Sequence, residues 1–422
     1  MGERWTMNAG RRQLYWGKNY IPDAVALLFT DADLTVAVSP TRDDETGETF
    51  TPEVFRYRGD VLTIRARLEL QGFTPSSAFD IALSYINAVR SDPEESIFST
   101  YYSEQESSYL STREMLIAVI EWAYSQSRET PPSTAVERHL ETVWRDLVEG
   151  YDDPRFAIAL LLHGARANTS IAVDLSGYLM GGWLEPDERP HITAHRRLTS
   201  RISSSGAVIV VTEGSTDAQL LSRALQLAET AVAHQFTFMD FSATSGPGGV
   251  DQVERLTRSL AAAGVVNRVV AILDNDTAGN EAKRRLDRLG LPPHFAVRVL
   301  PDIALARNYP TVGPEGPSHA SVNGRAVTIE MSFGREVLLA GGNGRLPPVR
   351  WGGTVGNTQT YQGGIDYKTQ VQRAIKATLD SATVITDLPP ETARSCRALA
   401  QMILGAAMTS RPMMASEYSP LL

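Results

Sequence analysis

Two stretches decide how this chain is read. The first is Ala207-Val208-Ile209-Val210-Val211-Thr212-Glu213-Gly214-Ser215-Thr216-Asp217. The second is Arg268-Val269-Val270-Ala271-Ile272-Leu273-Asp274-Asn275-Asp276-Thr277-Ala278-Gly279. Each is an unbroken apolar run, rich in β-branched residues, that ends abruptly in acids. Such runs are the signature of parallel strands covered on both faces. In open α/β sheets ligand sites form just outside the carboxyl ends of the strands, which is where Glu213, Asp274 and Asp276 fall. Residues i and i+2 of an extended segment point to one side, so Asp274 and Asp276 can aim at one point. Glu213 can supply a third carboxylate from a neighbouring strand. Carboxylates held together repel, and a hard divalent cation with oxygen ligands relieves the repulsion. A plainer reading stands beside this: acids at strand ends are also ordinary helix N-caps, and Asp276 directly precedes a helix start.

Outward from these stretches the text alternates strand and helix: helix 215–231, strand 235–241, helix 249–263, strand 268–273, helix 277–289, strand 296–300. Repeated βα units of this length imply a mostly parallel sheet with helices over its faces. Upstream, residues 11–180 read as mostly helical, with apolar spacing over 76–89, 112–125, 133–148 and 155–165, a cap at Ser111 or Thr112, and a short strand at 171–174. Residues 185–205 hold two prolines, three consecutive serines and a basic cluster, and read as a connector. Downstream of Pro301 the chain is loop-rich, with a glycine-dense stretch over 341–364. Helices follow over 366–379 and 390–408, then a small-residue tail over 409–422. The expected organisation is a helical domain over 1–184, a basic linker over 185–205, a parallel α/β domain over 206–301 and an α+β extension over 302–422.

Composition bounds the rest. A chain of 422 residues corresponds to roughly two to three domains at about 150 residues each. The net charge of −9 argues against a protein that coats nucleic acid by bulk charge, and leaves room for a local basic groove. A lone cysteine, Cys396, excludes a disulfide framework and a cysteine-rich zinc centre, and implies a reducing, cytoplasmic compartment. No apolar run approaches the ~18 residues of a membrane span.

An apolar strand ending in Glu-Gly, followed by a strand ending in Asp-x-Asp with a glycine after it, resembles a Toprim domain, the fold shared by topoisomerases, primases and OLD-type nucleases. The resemblance implies that Glu213, Asp274 and Asp276 bind Mg²⁺ or Mn²⁺ and serve as the catalytic acids. By the same analogy Asp217 and Glu330 are further metal ligands, although Asp217 also suits the first turn of a helix by its charge. Further stretches are similar to the family with an N-terminal HEPN/Toprim-associated domain: 16–33, 67–74, Leu300-Pro301-Asp302, 308–316, 322–326 and 329–331. The function these resemblances imply is that of a metal-dependent endonuclease acting on DNA or RNA, in a setting of anti-phage or mobile-element defence. The helical domain implies a homodimer, and a partner protein such as an ATPase is a further expectation.

A lysine would assist by stabilising phosphate charge in the transition state; Lys283 and Lys368 are the candidates, and the sequence does not decide between them. Clustered arginines suit phosphate contacts, with Arg196 and Arg197 in the connector and Arg284 and Arg285 after the Asp-x-Asp. Gly246-Pro247-Gly248-Gly249 opens a helix but lacks the Gly-Lys-Ser/Thr of a P-loop, which excludes that kind of ATPase. HEPN ribonucleases use Arg and His with four to six residues between them on a helix. Arg155 and His163 are too far apart, Arg189 and His195 fit but fall in the connector, and Arg288 and His294 span two prolines. A HEPN-type ribonuclease is therefore an alternative, as is a non-catalytic nucleic-acid-binding or regulatory subunit. Topoisomerase and primase fit less well, because the chain lacks a second module with a nucleophilic tyrosine and a zinc module.

Overall fold

The computed structural model describes residues 4–10, 12–18, 20–38, 41–42, 49–50, 53–91, 111–125, 134–149, 153–167, 169–239, 249–355 and 360–412. The chain forms two compact units, the first ending at Leu198 and the second starting at Thr199.

The first unit mixes a sheet with helices. Strands β1 (Arg4–Ala9), β2 (Arg12–Lys18) and β3 (Leu34–Val38) are followed by the short pair β4 (Thr41–Arg42) and β5 (Thr49–Phe50), then β6 (Glu53–Asp60) and β7 (Ser170–Asp174). Five of them form an antiparallel sheet in the order β2-β1-β7-β6-β3. Alternate residues of its strands point into the core: Trp5 and Met7, Phe55 and Tyr57, Ile171 and Val173. Around it run α1 (Asp23–Ala26), α2 (Val61–Leu70), α3 (Pro75–Ser91), α4 (Thr112–Ser125), α5 (Ala135–Glu149), α6 (Pro154–Leu161) and α7 (Ser176–Met180). The expected helices are in place, and Ser111 caps α4 in a reciprocal pair with Glu114. Most of the sheet was not anticipated. Its strands are short, and β1 and β6 both pair with β7, more than a hundred residues downstream, so no local pattern announces the partner.

The connector is also corrected. Residues Pro190–Ser205 form a helix, α8, within which the division between the units falls. Its apolar residues recur at helical spacing, with Ala194 and Ser203 buried, and proline is tolerated at a helix's first position.

The second unit holds the expected parallel sheet. Strands β8 (Val208–Val211), β9 (Phe236–Phe238), β10 (Val269–Leu273) and β12 (Phe295–Val299) lie in the order β12-β10-β8-β9, all parallel. Between them run α9 (Ser215–Ala228), α10 (Val250–Ala262) and α11 (Thr277–Asp287), with the two-residue strand β11 (Asn275–Asp276) inserted before α11. Every residue of β10 is buried. Val269, Ala271 and Leu273 pack with Val253 of α10 and Leu286 of α11, whereas Val270 and Ile272 join the core that contains α9. Each such aliphatic side chain contributes about 1.5–3 kcal/mol by leaving water, which is why the run carries no polar residue before Asp274.

The chain after Pro301 is less loop-like than its composition implies. Strands β13 (Tyr309–Gly313) and β14 (Gly316–Ala320) form a hairpin, β15 (Ala326–Val327) pairs with β11, and helix α12 (Arg335–Gly341) follows. The glycine-dense stretch forms β16 (Val349–Thr354) and β17 (Tyr361–Ile365), an antiparallel pair joined to the hairpin through β13. Helices α13 (Lys368–Ser381) and α14 (Pro390–Thr409) complete the unit. Val371, Ile375, Leu399 and Ile403 share one core with Val210, Val270 and Leu221, so the extension and the parallel sheet are a single packed body. The tail beyond 412 lies outside the described residues.

Candidate active site

The site is built at the carboxyl ends of β8 and β10, adjacent strands in register at Val211 and Ala271. After β8 the chain turns through Thr212, whose hydroxyl donates to the Gly214 carbonyl at 3.0 Å, and enters α9 with Gly214 as N-cap. Glu213 therefore sits at the turn and Asp217 in the first helical turn. The amide of Asp274 donates to Oε1 of Glu213 at 2.9 Å, which ties the two strand ends together. Asp274 accepts from the amide of Ile329 at Oδ1, 3.0 Å. Among the described residues, Oε2 of Glu213 and Oδ2 of Asp274 accept no hydrogen bond.

Asp276 is held differently. Pairing of Asn275 with Val327 and Asp276 with Ala326 keeps the Asp-x-Asp segment extended. Its Oδ1 accepts from the Gly279 amide at 2.7 Å as the N-cap of α11, and its Oδ2 accepts from the Gln362 side chain. Gln362 in turn accepts from the amide of Ala278 at 3.1 Å. Gly279 is obligatory here: a Cβ at that position would lie 2.1 Å from the Asp274 carbonyl oxygen. Asp276 thus fulfils the N-cap reading, with both oxygens engaged by the protein.

Glu330, 0% exposed, stands on the single 3₁₀ turn after β15. Oε2 accepts from the Thr328 hydroxyl at 2.5 Å, and Oε1 from Gln372 at 2.7 Å, with the Lys368 ammonium 3.3 Å away. Glu213, Asp217, Asp274, Lys368 and Gln372 line one open cleft of about 340 Å³, closed on another side by Gly249 and Gln252 of α10. Gly249 takes a φ of 112°, which suits glycine, and its amide donates to the Glu213 carbonyl at 2.8 Å; the rest of the Gly-Pro-Gly-Gly loop lies outside the described residues.

The electrostatics are those of crowded acids. Burial, with the charges of Asp276 and Asp217, pushes Glu213 up to about 7, against the Asp274 amide and Lys368. Burial and the charge of Glu330 push Asp217 up to about 6. Asp274 is raised well above the carboxylate range, by burial first and then by Glu213, Asp217 and Glu330. Burial also raises Asp276, opposed by its bonds from Gly279 and Gln362. Lys368 is raised, because Glu330, Asp274 and Asp217 outweigh the burial that works to lower it.

The residue types suit a divalent ion: hard oxygen donors, unshared lone pairs on Glu213 and Asp274, and mutual repulsion to relieve. Among the described residues no three acidic, His or Cys side chains already stand close enough to hold one ion, so binding would draw Glu213, Asp217 and Asp274 inward.

Residues 1–197 match the family model of HEPN/Toprim N-terminal domain 1. Over these residues the chain is similar to a HEPN/Toprim N-terminal domain. No curated protein and no solved structure matches the chain.

Within the HEPN/Toprim N-terminal domain, Arg189 and His195 belong to α8 and the residue before it, not to a loop as expected. The Arg189 guanidinium lies 3.0 Å from Asp31. Asp31 is also 3.6 Å from His191, whose Nδ1 meets the buried Tyr57 hydroxyl at 2.9 Å. Burial lowers His191 despite Asp31. Arg155 pairs with Asp153, and in the second unit His294 is buried against the Val265 carbonyl.

The expected lysine and arginines fall elsewhere than the cleft. Lys283 bridges to Asp287 at 2.6 Å and does not line the cleft; the lysine brought to the carboxylates is Lys368. Arg284 pairs with Glu281, Arg285 with Glu254, and Arg197 with Asp23, while Arg196 is half-buried. Gln362 and Gln372 were missed. A glutamine in a glycine-rich stretch and another on an amphipathic helix carry no sequence signal for a site.

Proposed function

We propose that the second unit is a divalent-metal-dependent nuclease of Toprim type that hydrolyses phosphodiester bonds in DNA or RNA. One observation carries this reading: Glu213 and Asp274, from two adjacent strand ends, and Asp217, from the first turn of α9, share an open cleft, where burial and neighbouring carboxylates raise all three. Mg²⁺ or Mn²⁺ fits the all-oxygen donor set better than Zn²⁺. Held by Glu213, Asp217 and Asp274, the ion would supply Lewis-acid activation of water and of the phosphate. The protein's own groups do the positioning. The β11–β15 pairing and the Asp276 cap fix the backbone that carries Asp274. Glu330, clamped by Thr328 and Gln372, holds the Lys368 ammonium at the cleft wall, where its charge stabilises a phosphate in the transition state. Gly214, Ser215 and Thr216, at the start of α9, also line the cleft, and a helix N-terminus suits an anion.

The resemblance supports a setting in anti-phage or mobile-element defence, a cytoplasmic location, and dimerisation or partner binding through the HEPN/Toprim N-terminal domain. Among the described residues no helix is long and apolar enough to cross a membrane.

The test is a cleavage assay on supercoiled plasmid, linear duplex, single-stranded DNA and RNA, each with Mg²⁺, Mn²⁺ or EDTA. Metal-dependent cutting that Asp274→Asn abolishes is the expected result. A folded chain that cuts none of these substrates would favour a binding or regulatory subunit. RNA cutting that survives Asp274→Asn would move the chemistry to the N-terminal domain.

A further inference from the structure

Beside the acidic cleft lies a second groove, between α9 and α13, of about 230 Å³. Thr216 and Gln372 line both, so the groove opens directly from the cleft. Its charge is the reverse. Arg373 and Lys376 are exposed on α13 and make no ion pair among the described residues. Arg223 of α9 lies opposite; its guanidinium donates to the carbonyls of Leu379 and Ala382, which leaves its charge uncompensated by any acid there. One acid, Asp380, marks the far end. The arginines expected to meet nucleic acid are mostly paired with acids, whereas Arg373 and Lys376 have no acid partner among the described residues and line a groove that meets the cleft.

We propose that the α9–α13 groove seats the phosphodiester backbone of a nucleic-acid strand and feeds it to the carboxylates. The proposal rests on the nuclease reading for its direction, and on the groove's own charges for its ligand. Lys368, Gln372 and Lys376 succeed one another at four-residue spacing, so they form one ridge of α13 running from the acidic cleft outward. Phosphate contacts through Arg373 and Lys376 fix the strand's register without reading bases, and make the affinity steeply salt-dependent. The acidic cleft repels the same backbone until a cation occupies it, so the groove supplies a local attraction within a chain of net charge −9.

The probe is a labelled single-stranded oligonucleotide, as DNA and as RNA of equal sequence. Binding is measured by fluorescence anisotropy in Ca²⁺ and in EDTA, between about 50 and 200 mM salt. Arg373→Gln/Lys376→Gln should lower the salt slope by about 1.4, two lost contacts at about 0.7 each, and weaken binding on the order of tenfold. Arg373→Lys/Lys376→Arg should retain the slope, and Arg255→Gln/Arg258→Gln, an equal charge change on α10, should leave it intact. Both groove positions are exposed, and thermal melts report that the variants fold. An unchanged slope and affinity in Arg373→Gln/Lys376→Gln would overturn the proposal, as would wild-type protein that binds neither polymer. The two readings separate. Lost binding in a protein that never cuts keeps the groove and drops the nuclease. Unchanged binding, with cutting that Asp274→Asn abolishes, does the reverse.

Discussion

Glu213→Gln should stabilise the metal-free protein at alkaline pH, although it removes a residue from the candidate active site. Burial and the neighbouring charges raise Glu213 from its ordinary 4.5 to about 7. A raised acid prefers its protonated form in the folded state. Below about 4.5 the group is protonated in both states and costs nothing. Through the window from 4.5 to about 7 the unfolded chain releases its proton first, and above about 7 the full penalty is present. The displacement corresponds to about 3 kcal/mol at 1.36 kcal/mol per unit. Glu213, Asp217 and Asp274 share the repulsion, so removing one charge also eases the others, and a gain of about 2 kcal/mol is expected from the single substitution. Glutamine keeps the Oε1 acceptor that the Asp274 amide uses. The assay is urea unfolding of the second unit's transition in EDTA at pH 5 and pH 8. Wild type should lose stability between the two, and Glu213→Gln should flatten the difference. Adding Mg²⁺ or Mn²⁺ at pH 8 should restore wild type and release protons, with little effect on the variant. A Glu213→Gln protein less stable than wild type at pH 8, with its pH dependence unaltered, would refute the crowded-acid account.

Three other outcomes rest on single contacts. Gly279→Ala should displace the Asp274 backbone, costing about 1–3 kcal/mol in thermal denaturation and abolishing metal-dependent cutting, because a methyl group there meets a carbonyl oxygen at 2.1 Å. Lys368→Met should raise Asp217 further above about 6, visible by NMR titration, and slow cleavage by about 10²–10³-fold, whereas Lys368→Arg retains part of the rate. Tyr57→Phe should destabilise the N-terminal unit by about 1–2 kcal/mol in denaturant unfolding, because His191 Nδ1 loses its partner inside the core.

Much of the second unit was legible in the sequence because its elements are local. A buried strand such as 269–273 shows as an unbroken apolar run, and α10 and α11 show as helical periodicity. The acids were legible because they interrupt those runs. What the sequence did not disclose depends on distant partners. The pairing of β11 with β15, the bond from Gln362 to Asp276 and the clamp of Gln372 on Glu330 join residues 42 to 86 positions apart and arise from tertiary packing alone. Lys368 rather than Lys283 reaches the carboxylates because the first residue of α13 lines the cleft, whereas Lys283 turns along α11 to Asp287. The N-terminal sheet was hidden for the same reason, since β7 must travel back to lie between β1 and β6.

The pairing of β11 with β15 also governs how the protein can be taken apart. A fragment that stops at the end of β12 would contain every residue of the Glu-Gly and Asp-x-Asp motifs. It would lose the strand that keeps Asp276 extended, the amide that orients Asp274, the glutamine that holds Asp276, and the helices that cover Val270 and Leu221. The smallest portable piece of this molecule is the whole second unit, and chimaeras that exchange the motif-bearing core alone should yield insoluble protein.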